Sequence, residues 1–408
     1  MRILILSESF PPETKSASTL FFELAESLVK NGYSVNVITR MPRYNIASGI
    51  NLENIPNEEI ISGVKVTRKN ILPLARNIPI IRGFEHFLLA IIFFWAGLFQ
   101  EKFDLILVYS PPLPLGIAGY WLSKIKKCPV IVNIQDLYPQ TVIDLGLLKN
   151  KLLIVISRQM ESFIYRNSNA LTVHSEGNKG YLVKIGANEE KVRVIDNWVD
   201  TSLIQPGSKI NDFSRKYGLD GKFIVSFAGV MGFAQGLEVV IQAADRLKDK
   251  KDIIFVLVGD GVKRLELVKM SESLGLKNVQ FIPTQLRSIY PQVLNTSDIC
   301  LVVLGQNLAT PVVPGKMLSI MAAGKAILAS MPENGDAPKI INSNNCGIVV
   351  PPDDSESLAQ AVLKLYNNKT LCEQMGVNGR KAAVRDFSRN SGVDKYEILF
   401  NRIIKEKA

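Results

Sequence analysis

The residue whose type and setting most clearly invite chemistry is Lys316. It stands in Gly305–Gly324, GQNLATPVVPGKMLSIMAAG, where an apolar strand pattern ends and a ten-residue, Pro-containing loop follows. Gly315 and Lys316 then open a short apolar helix. A helix start presents unpaired backbone N–H groups and the positive end of the dipole, so it attracts anions. A lysine at that position is electrostatically misplaced unless an anion joins it. A bound phosphate satisfies both facts, and a solvated lysine at a frayed helix start is the plain alternative. Gly229-x-x-Gly232-x-x-x-Gly236 also separates a strand pattern from a helical one. It is not Gly-x-Gly-x-x-Gly and lacks the acidic residue expected about 20 positions on, so it reads as a phosphate loop rather than a dinucleotide fingerprint. Gly259 and Gly261 flank Asp260 at a neighbouring strand end, where the carboxylate could meet a ligand or simply cap the next helix.

In the first half, Asp136 follows the apolar run VIVNI, next to Gln135 and ahead of Tyr138-Pro139. A carboxylate there could bind a sugar hydroxyl or position an acceptor; capping the turn is the alternative. His86 and His174 are the only histidines and they form no pair, so a Ser-His-Asp arrangement has little support. His174 follows the strand pattern ALTV and could reach a cleft or serve the core. Cys128, Cys300, Cys346 and Cys372 are widely spaced, without Cys-x-x-Cys, which argues against zinc and against a disulfide framework and for a reducing cytosol.

These residues need a scaffold, and the pattern supplies one. Short β-rich runs alternate with helical patterns, the signature of parallel α/β layers. The strands read Arg2–Leu6, Ser34–Thr39, Asp104–Tyr109, Pro129–Ile134 and Ala170–Val173 in the first half. In the second they read Phe223–Ala228, Ile253–Val258, Val279–Ile282, Ile299–Val303, Ala326–Ala329 and Gly347–Val350. Two such sets predict two doubly wound domains, with a seam in Asn197–Lys222 where Pro206, Gly207, Gly218 and Gly221 break the rhythm. Ligands of such sheets sit beyond the carboxyl ends of the strands. That singles out Ser9 and Pro12 after the first strand and Ser110 after the third.

The chain has 408 residues, enough for two or three cores, and 47% are hydrophobic, which excludes disorder and fibrous repeats. Lys and Arg number 48 against 38 acids, a formal charge of +10. Between residues 60 and 130, Lys65, Arg68, Lys69, Arg76, Arg82, Lys102, Lys124, Lys126 and Lys127 face only Glu85, Glu101 and Asp104. They surround Phe87–Phe99, FLLAIIFFWAGLF, a 13-residue run too short to span a bilayer and without a polar face. An anionic membrane surface would attract such a region, and a buried core helix is the competing reading. No signal peptide is evident, and nothing in the sequence reads as nucleic-acid binding.

Taken in order, the motifs resemble those of retaining GT-B glycosyltransferases of family 4, most closely the bacterial surface-polysaccharide branch with N-acetyl-L-fucosamine transferases. The carriers run from Ser9-Phe10-Pro11-Pro12-Glu13 and Gly32–Thr39 through Gln135–Pro139 and Asn197–Asp200. Gly232–Glu238, Val258–Gly261, Pro314-Gly315-Lys316, Met321–Lys325 and Val350–Asp354 complete them. The resemblance implies two Rossmann-like domains facing a cleft: an acceptor domain, 1–200 with the C-terminal helix 388–408, and a donor domain, 201–387. It implies donor-binding roles for Gly229, Gly232, Gly259, Asp260, Arg264, Gly315, Lys316 and Ser319. Asp136 and Gln135 become the catalytic candidates, and Ser9, Pro12, Ser110 and His174 line the acceptor or cleft side. It further implies a UDP-sugar donor, a polyprenyl-diphosphate-linked glycan acceptor, and no metal or cofactor. The expected location is cytoplasmic, at the inner face of the plasma membrane. The family's Glu-x7-Glu falls here on Pro311 and Ser319, its glycine-loop Arg and Lys on Phe233 and Gln235, and its N-domain histidine on Gln135. These departures keep two other readings open, a sugar-nucleotide epimerase of the same fold and a non-catalytic nucleotide-sugar-binding subunit.

Overall fold

The computed structural model describes residues 1–407 except 44, 45, 47–49, 51, 72–78, 145 and 307–312, with 79–82 as backbone only. The chain forms two compact units: Met1–Asn197 with Gly392–Ala408, and Trp198–Ser391.

The first unit is built on eight strands: β1 (Arg2–Leu6), β2 (Ser34–Arg40), β3 (Glu58–Ile61), β4 (Val64–Lys69), β5 (Leu105–Ser110), β6 (Val130–Ile134), β7 (Ala170–Val173) and β8 (Val192–Val194). Their order is β3-β4-β2-β1-β5-β6-β7-β8, parallel except for the β3/β4 pair. The central strands are predominantly apolar because helices cover both faces; all five residues of β6, polar Asn133 included, are buried. On one face, helices Pro79–Leu98, Pro114–Lys126 and Lys151–Asn167 bury Leu89, Phe93, Leu115, Leu122 and Ile164 against Leu4, Ile106 and Val132. On the other, the helix Arg389–Lys405 sends Tyr396 to β6 and β7, its hydroxyl accepting from Asn133 Nδ2 at 3.0 Å and lying 3.3 Å from Thr172 Oγ1.

Three strands were not foreseen from sequence: β3, β4 and β8. The first two form an antiparallel hairpin whose turn residues, Ser62 and Gly63, take φ of 50° and 83°. Two left-handed residues give the turn the twist a two-residue hairpin needs. The Ser-Gly dipeptide was the available signal, and the charges of EEII and VKVTRK concealed the strands because this edge faces water on one side.

The second unit carries β9 (Phe223–Ala228), β10 (Ile253–Val258), β11 (Val279–Ile282), β12 (Ile299–Val303), β13 (Ala326–Ser330) and β14 (Gly347–Val350). They are parallel in the order β11-β10-β9-β12-β13-β14. Alternate residues feed two cores: Val225, Phe227 and Leu257 pack with the helices Glu238–Arg246 and Ser355–Asn367. Cys300, Val302 and Ile327 pack with Gly315–Ala322 and Asp336–Ser343. Both units are therefore doubly wound parallel α/β domains, as the alternation predicted. In each the strand order reverses once near the middle, between β1 and β5 and between β9 and β12.

Candidate functional site

In an open parallel sheet, loops leaving the two strands at the reversal diverge and leave a crevice at the carboxyl ends. In the second unit those loops begin at Gly229, after β9, and at Leu304, after β12. The β12 loop leads to the helix Gly315–Ala322, whose first position follows Pro314 and which no side chain caps. Lys316 turns back from this helix so that its Nζ lies 3.9 Å from the centroid of the Phe227 ring. A Cβ on Gly229 would stand 3.2 Å from the same nitrogen, and Gly229 has φ of 149°, so the position is left to glycine. The residue keeps some open surface along its stem, but the ammonium is buried and has no hydrogen-bond partner among the described residues. Burial pushes its pKa down to about 8. A buried ammonium left with only a ring face beneath it is costly, and an anion brought against it would offset that cost.

The surrounding loops are tied together. Gly232 N–H donates to Gln235 Oε1 at 3.1 Å and Gly305 N–H to the Ala234 carbonyl at 3.0 Å. Gly236, φ 56°, passes 3.5 Å from Gly305 Cα when given a Cβ, and 3.3 Å from Asp353 Oδ1. Asp353 thus joins the crevice, although its place in a Pro-Pro-Asp-Asp loop far along the chain gave it no role in the sequence.

The remaining candidates fare differently. A Cβ on Gly259 would meet the Gly229 carbonyl oxygen at 1.9 Å, and one on Gly261 the Met231 oxygen at 2.4 Å. These glycines serve the packing of two neighbouring loops. Asp260 Oδ1 accepts the Gly261 N–H at 2.8 Å, the turn-capping alternative. Lys263, the neighbour of Arg264, is taken up by Glu238 at 2.8 Å and Glu266 at 2.6 Å. Arg264 opens the helix Arg264–Ser273. Ser319 lies one turn beyond Lys316 and hydrogen-bonds the half-buried Tyr290 phenol. Gly315 is exposed, with open space where a Cβ would go. Pro311, the other position of the family's acidic pair, lies outside the described residues.

The reversal in the first unit brings Ser7–Pro12 and Ser110 to one end of the sheet. Ser9 Oγ donates to Glu13 Oε2, so Ser9 holds a carboxylate as well as lining the loop that carries half-buried Pro12. Burial would raise the Glu13 pKa, but Ser9, the Arg43 N–H, Arg40 and Lys15 together hold it below the ordinary value. Arg40, buried at the end of β2, reaches Glu8 at 3.2 Å, Glu13 at 3.5 Å and Glu85 at 3.8 Å. Sequence reasoning missed this network, because its members are separated by tens of residues. The Ser110 hydroxyl is buried without a hydrogen-bond partner among the described residues.

Gln135 and Asn197 exchange two amide hydrogen bonds of 2.9 Å. His174 Nε2 lies 3.1 Å from the Gln135 carbonyl and 2.9 Å from Asn178 Nδ2, so the imidazole is built into the wall beside Asp136. The Asp136 carboxyl keeps open surface, yet the surrounding protein raises its pKa, with His174 opposing the shift. Among the described residues no group of three or more His, Cys, Asp and Glu could hold a metal ion.

Comparison with known proteins matches residues 17–203 to Glycosyltransferase Family 4 and residues 209–382 to Glycosyl transferases group 1. WcaI of Escherichia coli (strain K12), assigned as a colanic acid biosynthesis glycosyl transferase, is 27% identical over 79% of this chain and 82% of its own length. WbjE of Pseudomonas aeruginosa, a probable glycosyltransferase, is 24% identical over 74% of this chain and 73% of its own. Among solved structures, Anabaena Alr3699/HepE in complex with UDP superposes with a TM-score of 0.75 at 17% identity, covering 98% of this chain and 100% of that one. Sucrose-phosphate synthase from Thermosynechococcus elongatus gives 0.78 at 18% identity, with 99% of both chains covered.

Proposed function

We propose that this chain, whose two parts match Glycosyltransferase Family 4 and Glycosyl transferases group 1, is a GT-B glycosyltransferase that transfers a sugar from a UDP donor, with retention, to a polyprenyl-diphosphate-linked glycan. Its relatives include proteins assigned to colanic acid and O-antigen synthesis, which supports a role in surface-polysaccharide assembly; the proposal places that role at the cytoplasmic face of the membrane.

The observation that carries the reading is the buried ammonium of Lys316 over Phe227, beside an uncapped helix start at the strand reversal. As the C1–O bond to the leaving diphosphate breaks, negative charge accumulates on the phosphate oxygens. A fixed ammonium and helix amides stabilise it with little reorganisation, the work a divalent cation does elsewhere. The acceptor oxygen attacks C1 from the face the leaving group departs, and its proton passes to a donor phosphate oxygen. Asp136, on the first unit, would hold the acceptor hydroxyl.

Purified protein supplied with a panel of UDP-sugars and lipid-linked acceptors should release UDP and yield a product of retained anomeric configuration. No UDP release and no binding of any UDP-sugar would sink the proposal. One observation favours a second reading. Ser319 is occupied by Tyr290 and Gln235 by Gly232, where the family has a carboxylate and a cation. Tight UDP binding without turnover in a reconstituted pathway would make the chain a binding subunit. Epimerised sugar formed without acceptor would make it an epimerase.

A further inference from the structure

The helix Pro79–Leu98 has two apolar faces where a surface helix has one. One face, with Leu89 and Phe93, enters the core. The opposite face, spaced by threes and fours, carries Phe84, Phe87, Ile91 and Trp95, and Phe99 follows just past its end. These are 64%, 43%, 54%, 52% and 83% exposed, with no charged residue among them. Trp95 and Phe99 stack with ring centroids 6.2 Å apart. The plane continues sideways: the helix Pro114–Lys126 packs alongside so closely that a Cβ on Gly97 would meet Leu122 at 2.7 Å, and it exposes Trp121 and Ile125. The third helix of the layer, Lys151–Asn167, opens with exposed Leu152 and Val155. Single exposed apolar residues are ordinary, whereas a contiguous aromatic face marks an interaction surface.

We propose that this three-helix face is a monotopic docking surface that lies in the interface of an anionic lipid bilayer. The proposal rests on the lipid-linked-acceptor reading above and names the surface through which that acceptor is met. Charge complementarity selects the occupant. Lys102, Lys124, Lys127, Lys149 and Lys151 are exposed on the three helices or the segments that flank them, where each would add about fivefold to binding at an anionic surface. A second copy of the same face would oppose these lysines with themselves. Tryptophan and phenylalanine suit the headgroup boundary. Among the described residues no helix is long and apolar enough to cross a membrane, so the face lies on the bilayer. The structure also corrects the charge inventory read from sequence. Arg68 is buried against Glu59 and the Pro11 carbonyl, and the Lys126 ammonium is spent on the Leu98 and Gln100 carbonyls at 2.8 Å and 2.5 Å. Neither contributes to a membrane-facing charge.

The test is flotation of the full chain with vesicles of phosphatidylcholine alone and with about one-third phosphatidylglycerol, scored against UDP binding and transfer to a water-soluble acceptor analogue. The native protein should float with the anionic vesicles only. Ile91→Ser with Trp95→Ser should reduce partitioning at least tenfold. Lys124→Gln with Lys127→Gln, which leaves the apolar face intact, should reduce it several-fold and remove its salt dependence. In both variants UDP affinity and transfer to the soluble acceptor should stay within twofold. Equal flotation with neutral vesicles, undiminished binding by either variant, or a stable dimer that Trp95→Ser converts to monomer would overturn the proposal. Loss of UDP binding or soluble transfer in the native chain would instead count against the catalytic reading.

Discussion

Replacing Lys316 by Met tests the donor site at its most exposed point, because the structure predicts opposite signs for stability and binding. Burial holds the Lys316 pKa near 8 against 10.5 in a solvated chain. The folded protein therefore binds fewer protons than the unfolded chain between those values, and stability rises as pH climbs through that window. At pH 7 the lysine is charged in both states, and the full cost is present, about 3 kcal/mol at 1.36 kcal/mol per pKa unit. By pH 9.5 the folded lysine is mostly neutral and the cost falls to about 1.4 kcal/mol. Methionine matches the stem and removes the charge, but it loses the contact with the Phe227 ring, about 0.5–2 kcal/mol. Net stabilisation of about 1–3 kcal/mol is expected at pH 7, shrinking by about 2 kcal/mol at pH 9.5. UDP affinity should move the other way, falling about 10- to 100-fold at pH 7, since a charge-assisted hydrogen bond contributes about 1.5–3 kcal/mol. The ratio of native to variant affinities should narrow above pH 8, where the free native protein loses the ammonium. Thermal melts at the two pH values, with calorimetric titration of UDP, read all of this. A variant that melts lower at pH 7 and binds UDP normally would refute the reasoning.

Gly259→Ala should destabilise the second unit by about 2–4 kcal/mol, since its Cβ falls on the Gly229 carbonyl; a denaturant titration reads the loss. Phe400→Ala should cost about 3–5 kcal/mol in the first unit, where the C-terminal helix buries that ring fully; an unchanged melt would remove the helix from that core. Asp136→Asn, which weakens the hold on the acceptor hydroxyl, should slow transfer about 100-fold while leaving UDP affinity within twofold. The native acidic limb should lie above that of a free aspartate, because the surrounding protein disfavours the charged carboxylate. Transfer should persist in excess EDTA if Lys316 and helix amides carry the leaving diphosphate; abolition restored by a divalent cation would assign that charge elsewhere.

The strands β10 and β12 were legible because each is an unbroken apolar run, buried almost throughout, and β9 and β11 begin and end where the pattern says although Ser226 and Gln280 interrupt their runs. Lys316 was legible for a local reason: strand, loop, glycine and helix start lie within a short stretch. The hairpin β3/β4 escaped because an edge strand needs only one apolar face and tolerates Glu58, Glu59, Lys65 and Arg68. The Arg40 network escaped because its three carboxylates stand at positions 8, 13 and 85, brought together only by the pairing of β1 with β2 and the packing of the helix that carries Glu85.

What the sequence by itself determined was therefore whatever periodicity and local turn chemistry can encode: two doubly wound units, the loops at their strand ends, and a lysine at a helix start. What only the tertiary structure decided was the environment of each group. It put Lys316 over the Phe227 ring, gave Gly259 to the Gly229 carbonyl, and buried Arg68 while leaving Trp95 open. Strand and helix patterns depend on neighbours a few residues away, whereas burial and charge pairing depend on which distant segments the fold brings within a few ångströms.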